Sequence, residues 1–363
     1  MSPLNGRKAF QDDPDERVFQ LDETSAVHIP VRNGPVSDIG ISPDGSRLVV
    51  ANHGRGTVSI VDPDARLVVQ TLGLDEPFAI ALSGGDAPRA YISTATSSYD
   101  SVDVVDVAAN AHVATHPLAH SVSDLAVSAD GRFVYAGRNH ARGADIAVVD
   151  TATDDVDVIE LATAPGTTVD CVRISPDGGH LYAATNGPSG GQLVVIDTRA
   201  TSDGADGGGS GITGAYELGL PIRDVALTAD GGTAYVASCG PVVGAVLDVI
   251  DTRTRKITAT RKLSEVAGPL TLTRVALSRD GRRAYLVSDD RVAVVCTQTL
   301  DVVGDIRAAN HPSCVVESPD GRCLYIAGHS GVVTVVPIAA RGGPAEAPTT
   351  SLPEPVWREP VLA

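Results

Sequence analysis

Histidine is the side chain best suited to moving protons near neutral pH and the commonest transition-metal ligand. Nine occur in the 363 residues. Four of them, His53, His140, His311 and His329, stand in short polar stretches that read as turns. A second set is more regular: Asp38, Asp124, Asp224 and Arg274 each lie four residues before the Ser or Thr of a recurring Asp-Gly phrase. An imidazole, a carboxylate and a guanidinium brought together suit activation of water against a cyclic ester, or capture of a small polar ligand. The chain reads as having no nucleophile elbow of the Gly-x-Ser-x-Gly kind, no His-Glu-x-x-His pair and no P-loop. No metal or cofactor is expected, and catalytic residues stay unassigned.

Whether these residues meet depends on the elements that carry them. Apolar-Ser-Pro-Asp-Gly recurs at Ile41–Gly45 and Ile174–Gly178, with Glu317–Gly321 a near copy. Degenerate copies stand at Val127–Gly131, Leu227–Gly231 and Leu277–Gly281, and a worn one at Leu82–Asp86. Seven copies spaced by about 40 to 53 residues match the length of one propeller blade. Asp-Gly is a hairpin signal, because Gly accepts positive φ while the Asp side chain bonds the turn backbone. An apolar run precedes each copy and another, such as Ala234–Ala237, follows it. A third run ends in Asp at Asp62, Asp106, Asp150, Asp197 and Asp251, and a fourth follows, such as Lys256–Leu263. Four antiparallel runs per repeat make one blade.

The reading is therefore all-β: a seven-bladed β-propeller of four-stranded antiparallel blades. The last repeat has only three runs before Pro337, and Ser25–Val31 reads as an orphan fourth. Pairing the two closes the ring and hides both sheet edges. The expected domains are an N-terminal extension (1–24), the propeller (25–338) with a flexible insertion at 199–214, and a disordered Pro-rich tail (339–363) that holds Trp357.

These residues resemble the YVTN family of propeller repeats, with its Ser-Pro-Asp-Gly turn, its Tyr-Val strand and its Val-Ile-Asp strand. The resemblance covers residues 25 to 338. It implies a fold shared by cell-surface, periplasmic and quinoprotein-like proteins and by relatives of the seven-bladed lactonases.

Composition narrows the partners. A net charge of −17 opposes a nucleic-acid groove, which needs clustered Lys and Arg. No uninterrupted apolar run of about 18 residues is present, so no membrane span is expected. The amino terminus lacks the apolar run of a signal peptide. Cys171, Cys239, Cys296, Cys314 and Cys323 are odd in number and without CxxC spacing, so no disulfide is expected. A cytoplasmic monomer is the expectation, or a secreted or surface protein if the chain is a trimmed mature form.

Alternation along strands places the Asp-Gly hairpins at one end of the ring. The second-to-third-strand loops and the interblade loops then share the other, upper face, with Asn52, Asn139, Asn186, Cys239, Asp289 and Asp290. His120, Asp170 and His311 join them from interblade loops. Asp38, Ala79, Asp124, Cys171, Asp224, Arg274 and Cys314 form one column at the upper end of the channel. Gly40, Ala81, Ala126, Arg173, Ala226, Ala276 and Val316 form a mostly small column two residues on. The acids could instead bond the backbone of the neighbouring blade, as in WD-type repeats. Two functions stay open: a non-enzymatic scaffold or binding protein for an unknown protein or small polar ligand through the upper face, or a lactonase-like hydrolase at the channel mouth. For binding, Asp38, Asp124, Asp224 and Arg274 lead, with His53, His140, His311 and His329 around them.

Overall fold

The computed structural model describes residues 23–31, 34–85, 87–119, 121–161, 163–199, 211–263, 272–307 and 311–338. Most of the extension and the insertion, and all of the tail with Trp357, lie outside them, as does His120. The described strands form seven four-stranded antiparallel sheets. The innermost strands of blades 1 to 7 are Val36–Ile41, Pro77–Leu82, Ser121–Val127, Thr168–Ile174, Ile222–Leu227, Leu272–Leu277 and Pro312–Glu317. Blade 7 continues through Cys323–Gly328 and Val332–Pro337 and takes its outermost strand, Val27–Pro30, from the start of the chain. Val27 faces Val335 and Pro30 faces Val332 in that pairing. Among the described residues, no helix is long and apolar enough to cross a membrane.

The turns explain why the phrase repeats. In blade 1 the Ser42 hydroxyl donates to Asp44 Oδ1 at 2.6 Å and accepts from the Arg47 amide at 2.9 Å. The Gly45 amide closes the turn on the Ser42 carbonyl at 2.8 Å, with φ at 76°, a conformation that suits glycine. Ser128, Ser175, Thr228, Ser278 and Ser318 repeat the hydroxyl-to-Asp bond. The hydroxyl and nearby amides hold Asp44, Asp130, Asp177 and Asp320 below the usual carboxylate range.

The apolar core is seven separate layers, one between each pair of neighbouring blades. The layer between blades 3 and 4 packs Ile146, Val148 and Ile159 on Val172, Leu181 and Ile196. The layer between blades 7 and 1 includes Ile29 and Val31, so the closing strand seals part of the core as well as an edge. Val, Ile, Leu and Ala suffice because each gap is the thin space between two sheets. Tyrosine recurs where a blade reaches the next one: the Tyr91 hydroxyl donates to the Gly131 carbonyl at 2.7 Å, and that of Tyr285 to Glu317 Oε2 at 2.6 Å.

Two outcomes follow. A carboxylate whose folded pKa is lowered stabilises the fold above its unfolded value, near 3.8 here, and loses that contribution as pH falls through the folded value. Urea midpoints should therefore drop below about pH 4, and the gap between wild type and Ser128→Ala should narrow towards pH 2. A gap independent of pH would show that the hydroxyl–carboxylate bond is not its source. Deleting residues 1–31 should leave the edge of Val332–Pro337 open and give aggregation or an uncooperative melt in calorimetry. A truncated chain melting like the full one would refute closure.

Candidate functional site

The innermost strand of each blade is a sheet edge, and its outward amides have no ladder partner. In blade 1, Ser42 pairs with Arg47 through the backbone, so by alternation Ile39 turns its amide to the channel. The ladder slips in every innermost strand just before or at the column position, as between Val36 and Asp38, Val122 and Asp124, and Leu272 and Arg274. These bulges aim the column residues at the axis.

Three carboxylates meet the unpaired amides. Asp38 Oδ1 accepts its own neighbour's amide, Ile39, at 2.9 Å, and Oδ2 accepts Ile80 of blade 2 at 2.8 Å. Asp124 Oδ2 accepts Val172 of blade 4 at 2.9 Å. Asp224 Oδ1 accepts Val225 at 2.8 Å, while Oδ2 accepts Val275 of blade 6 at 3.0 Å. The acid column is thus a set of blade-to-blade ties at junctions 1/2, 3/4 and 5/6, the backbone alternative weighed from the sequence.

Arg173 links two of these ties. Its Nη1 donates to Asp124 and its Nη2 to Asp224, both at 2.6 Å, and its Nε to the Val225 carbonyl at 3.0 Å. Burial weakens its charge, but the two carboxylates outweigh burial and hold the guanidinium firmly protonated. The Cys171 thiol donates to Asp224 Oδ1 at 3.2 Å. Burial lifts the Asp38 carboxyl above the usual range, against the pull of Arg274 and its two amides. Arg274 is raised chiefly by the charge of Asp38, yet forms no ion pair within 4.0 Å among the described residues. Burial, then the charge of Asp38, pushes the Cys314 thiol up to about 12, so it stays a neutral S–H at neutral pH.

Asp38, Asp124, Asp224 and Arg274 border one axial cavity of about 330 Å³, together with Arg173 and Cys314. The histidines do not border it. His53 sits in a single turn, His53–Arg55, edge-on to Phe78 at 6.0 Å between ring centres. His140 ends a strand, with Nε2 3.6 Å from Asp145, whose carboxylate is already held bidentately by Arg138. His311 and His329 are exposed neighbours, joined by a 3.0 Å bond from the His329 amide to the His311 carbonyl. The eight residues therefore divide into four around the channel and four away from it, three in turns and His140 at a strand end.

No family model matches the chain. It is 50% identical to the seven-bladed beta-propeller protein Rv1057 of Mycobacterium tuberculosis, over 94% of this chain and 92% of that protein. The chain belongs to this family of seven-bladed β-propeller proteins. Hydrazine synthase of Kuenenia stuttgartiensis has a similar fold, with a TM-score of 0.73 over 85% of this chain and 96% of that chain. At 23% identity that likeness concerns the fold alone.

Several residues of this seven-bladed family member have roles that spacing alone did not assign. Asn139 and Asn186 are interblade staples: Asn139 Oδ1 accepts the Val169 amide at 2.8 Å, and Asn186 Oδ1 accepts the Ile222 amide at 2.8 Å. Arg173 was visible as the one cation in a column of small residues, but its pairing with two acids from different blades was not. Gly40 shows why that column is small, since a Cβ there would fall 2.1 Å from Leu82 Cδ1. The reading of no Gly-x-Ser-x-Gly needs a correction, because Gly187–Gly191 has that spacing. It is a hairpin between His180–Gly187 and Gly190–Asp197, and lacks the strand-to-helix turn that exposes a nucleophile.

A second cavity of about 460 Å³ opens between blades 1 and 2 on the upper face, with Thr94, Ser101, Asp103 and Thr115 in its wall. Asp103 is buried there and accepts from Thr94 and Thr115, each at 2.5 Å, with His112 Nε2 at 2.8 Å. The repeat marks it only weakly: Asp248 takes the same place in blade 5 and accepts from Thr260, but Ser59 and Thr334 take it in blades 1 and 7.

Asp224 holds more of the channel than any other acid. Asp224→Ala should cost about 2–4 kcal/mol in urea unfolding, since it removes the acceptor of two amides and of the Cys171 thiol together with one of the two carboxylates that hold Arg173. Asp38→Ala, which frees only two amides, should cost about 1–3 kcal/mol. Equal losses would contradict the tie through Arg173.

Proposed function

We propose that the chain is a non-enzymatic binding protein of the YVTN type, a closed ring that presents the upper-face loops to a protein partner or small polar ligand. One observation carries this reading: Asp38, Asp124 and Asp224 already accept backbone amides of neighbouring blades. Groups engaged in this way hold the ring in shape and are poorly placed to exchange protons with a substrate. Asn139 and Asn186 share that duty, but the loops around them differ from blade to blade: NHGRGT, STATSSYD, RNHARGA, TNGPSGGQ, SCGPVVGA, SDDR and GHSG. Rigid strands under variable loops are the usual arrangement for binding. Closure of the ring supports a monomer, and an odd number of cysteines without CxxC spacing supports a reducing, cytoplasmic setting.

The test combines metal analysis of the purified protein, a lactone-hydrolysis screen and amide-shift mapping of small polar ligands. Shifts should concentrate in the upper-face loops, not the Asp-Gly hairpins, with no turnover above buffer. A lactone hydrolysed by the wild type but not by Arg274→Ala, or a stoichiometric metal, would replace binding with catalysis.

A further inference from the structure

The three acid ties share one local pattern: a column carboxylate sits on the outward amide of the next blade. At the junction of blades 6 and 7 the column residue is Arg274, and the next outward amide is that of Val315. Ser318 pairs with Cys323 through the backbone, so by alternation Val315 turns its N–H away from its neighbour strand and into the channel. The structure gives that N–H no acceptor among the described residues, and the Arg274 guanidinium donates no hydrogen bond to any of them. Both border the 330 Å³ cavity, as does Cys314.

The chain itself supplies the template for what belongs there. Asp124 Oδ2 takes a backbone amide, Val172, at 2.9 Å and a guanidinium nitrogen, Arg173 Nη1, at 2.6 Å. Junction 6/7 has the same two kinds of donor and no carboxylate of its own. We propose that this junction is a binding site for a small carboxylate ligand, whose oxygens take the Val315 amide and the Arg274 guanidinium as Asp124 takes Val172 and Arg173.

The cavity lining carries three acids against two arginines, but Asp124 and Asp224 are already paired with Arg173. The charge that meets a ligand at junction 6/7 is therefore that of Arg274 beside Asp38, whose carboxyl is held above the usual range by burial. A planar carboxylate matches the guanidinium fork better than a spherical halide does. Asp38 faces Arg274 electrostatically but is not paired with it, and each of its oxygens already accepts one amide. A ligand that also carries a hydroxyl can donate to the lone pairs left on Asp38, so a 2-hydroxy acid fits better than a simple fatty acid. Leu125 is a built-in control. It has the corresponding outward amide, also without an acceptor among the described residues, but the preceding column residue is Ala79, and Arg173, which pairs with the adjacent Asp124, already has its two acids.

The inference rests on the binding reading and names a ligand class for it. Lactate, acetate, inorganic phosphate and chloride are titrated into the full-length protein at constant ionic strength, following 15N–1H shifts and calorimetry. Lactate should bind one to one, move the Val315 amide and leave Leu125 unmoved, with acetate weaker and chloride weakest. Arg274→Gln should weaken lactate by about tenfold or more, as expected for a lost charge-assisted pair, while Arg322→Gln on the hairpin face leaves it unchanged. The wild-type shift of Val315 stands as a test even if Arg274→Gln misfolds. Equal shifts at Leu125 and Val315, phosphate binding as tightly as lactate, or full affinity in a folded Arg274→Gln would overturn the site. If lactate binds as stated and a lactone is also hydrolysed, the binding reading falls and the site stands. If the loops bind a ligand while Val315 stays silent, the site falls and that reading stands.

Discussion

A propeller points the inner edge of every blade at its own axis, and an edge strand carries amides that no ladder can satisfy. In this chain the answer to that constraint is the acid column. Asp38, Asp124 and Asp224 each cap the outward amide of the next blade, so one side chain meets a hydrogen-bonding need and joins two blades. The bulge that precedes the column makes this possible by turning the carboxylate towards the axis. Removing the bulge would return the side chain to the interblade layer, where a charge has no partner.

The rest of the ring is built around these joints. Thin apolar layers fill the gaps between neighbouring blades, and the strand Val27–Pro30 supplies the pairing that blade 7 lacks. Polar ties at three places keep the blades in register. Carboxylates act at the axis, Asn139 and Asn186 act on the upper face, and tyrosine hydroxyls such as that of Tyr91 act towards the hairpin face. Arg173 makes the joints at 3/4 and 5/6 interdependent, since it pairs with both Asp124 and Asp224.

Strict alternation of acid ties cannot run evenly around seven blades. Acids at blades 1, 3 and 5 cover junctions 1/2, 3/4 and 5/6, and an odd ring leaves blade 7 beside blade 1. There the order changes, with Arg274 in blade 6 and Cys314 in blade 7. The channel is therefore polar but asymmetric, with its acceptors satisfied over most of the circuit and a group of donors at one junction. Of His53, His140, His311 and His329, by contrast, the structure joins His311 to His329, through a backbone bond.

The repeat phrase determined the fold without help from tertiary structure, because its residues act within a single hairpin. Ser42, Asp44 and Gly45 bond one another and adjacent backbone, so their spacing is a local fact. Blade number, strand order and closure follow from counting such units, and the column containing Asp38, Asp124, Asp224 and Arg274 follows from their register. What those four residues do was decided only when the blades came together. Their partners, Ile80, Val172 and Val275, lie more than forty residues away, and no periodicity encodes which neighbour a bulged side chain will reach. The same holds for Arg173, whose two acids come from blades on either side, and for Asp103, whose threonines and histidine converge only across a folded sheet. Local chemistry writes the turns, and the distance between blades, fixed by packing, chooses the partners.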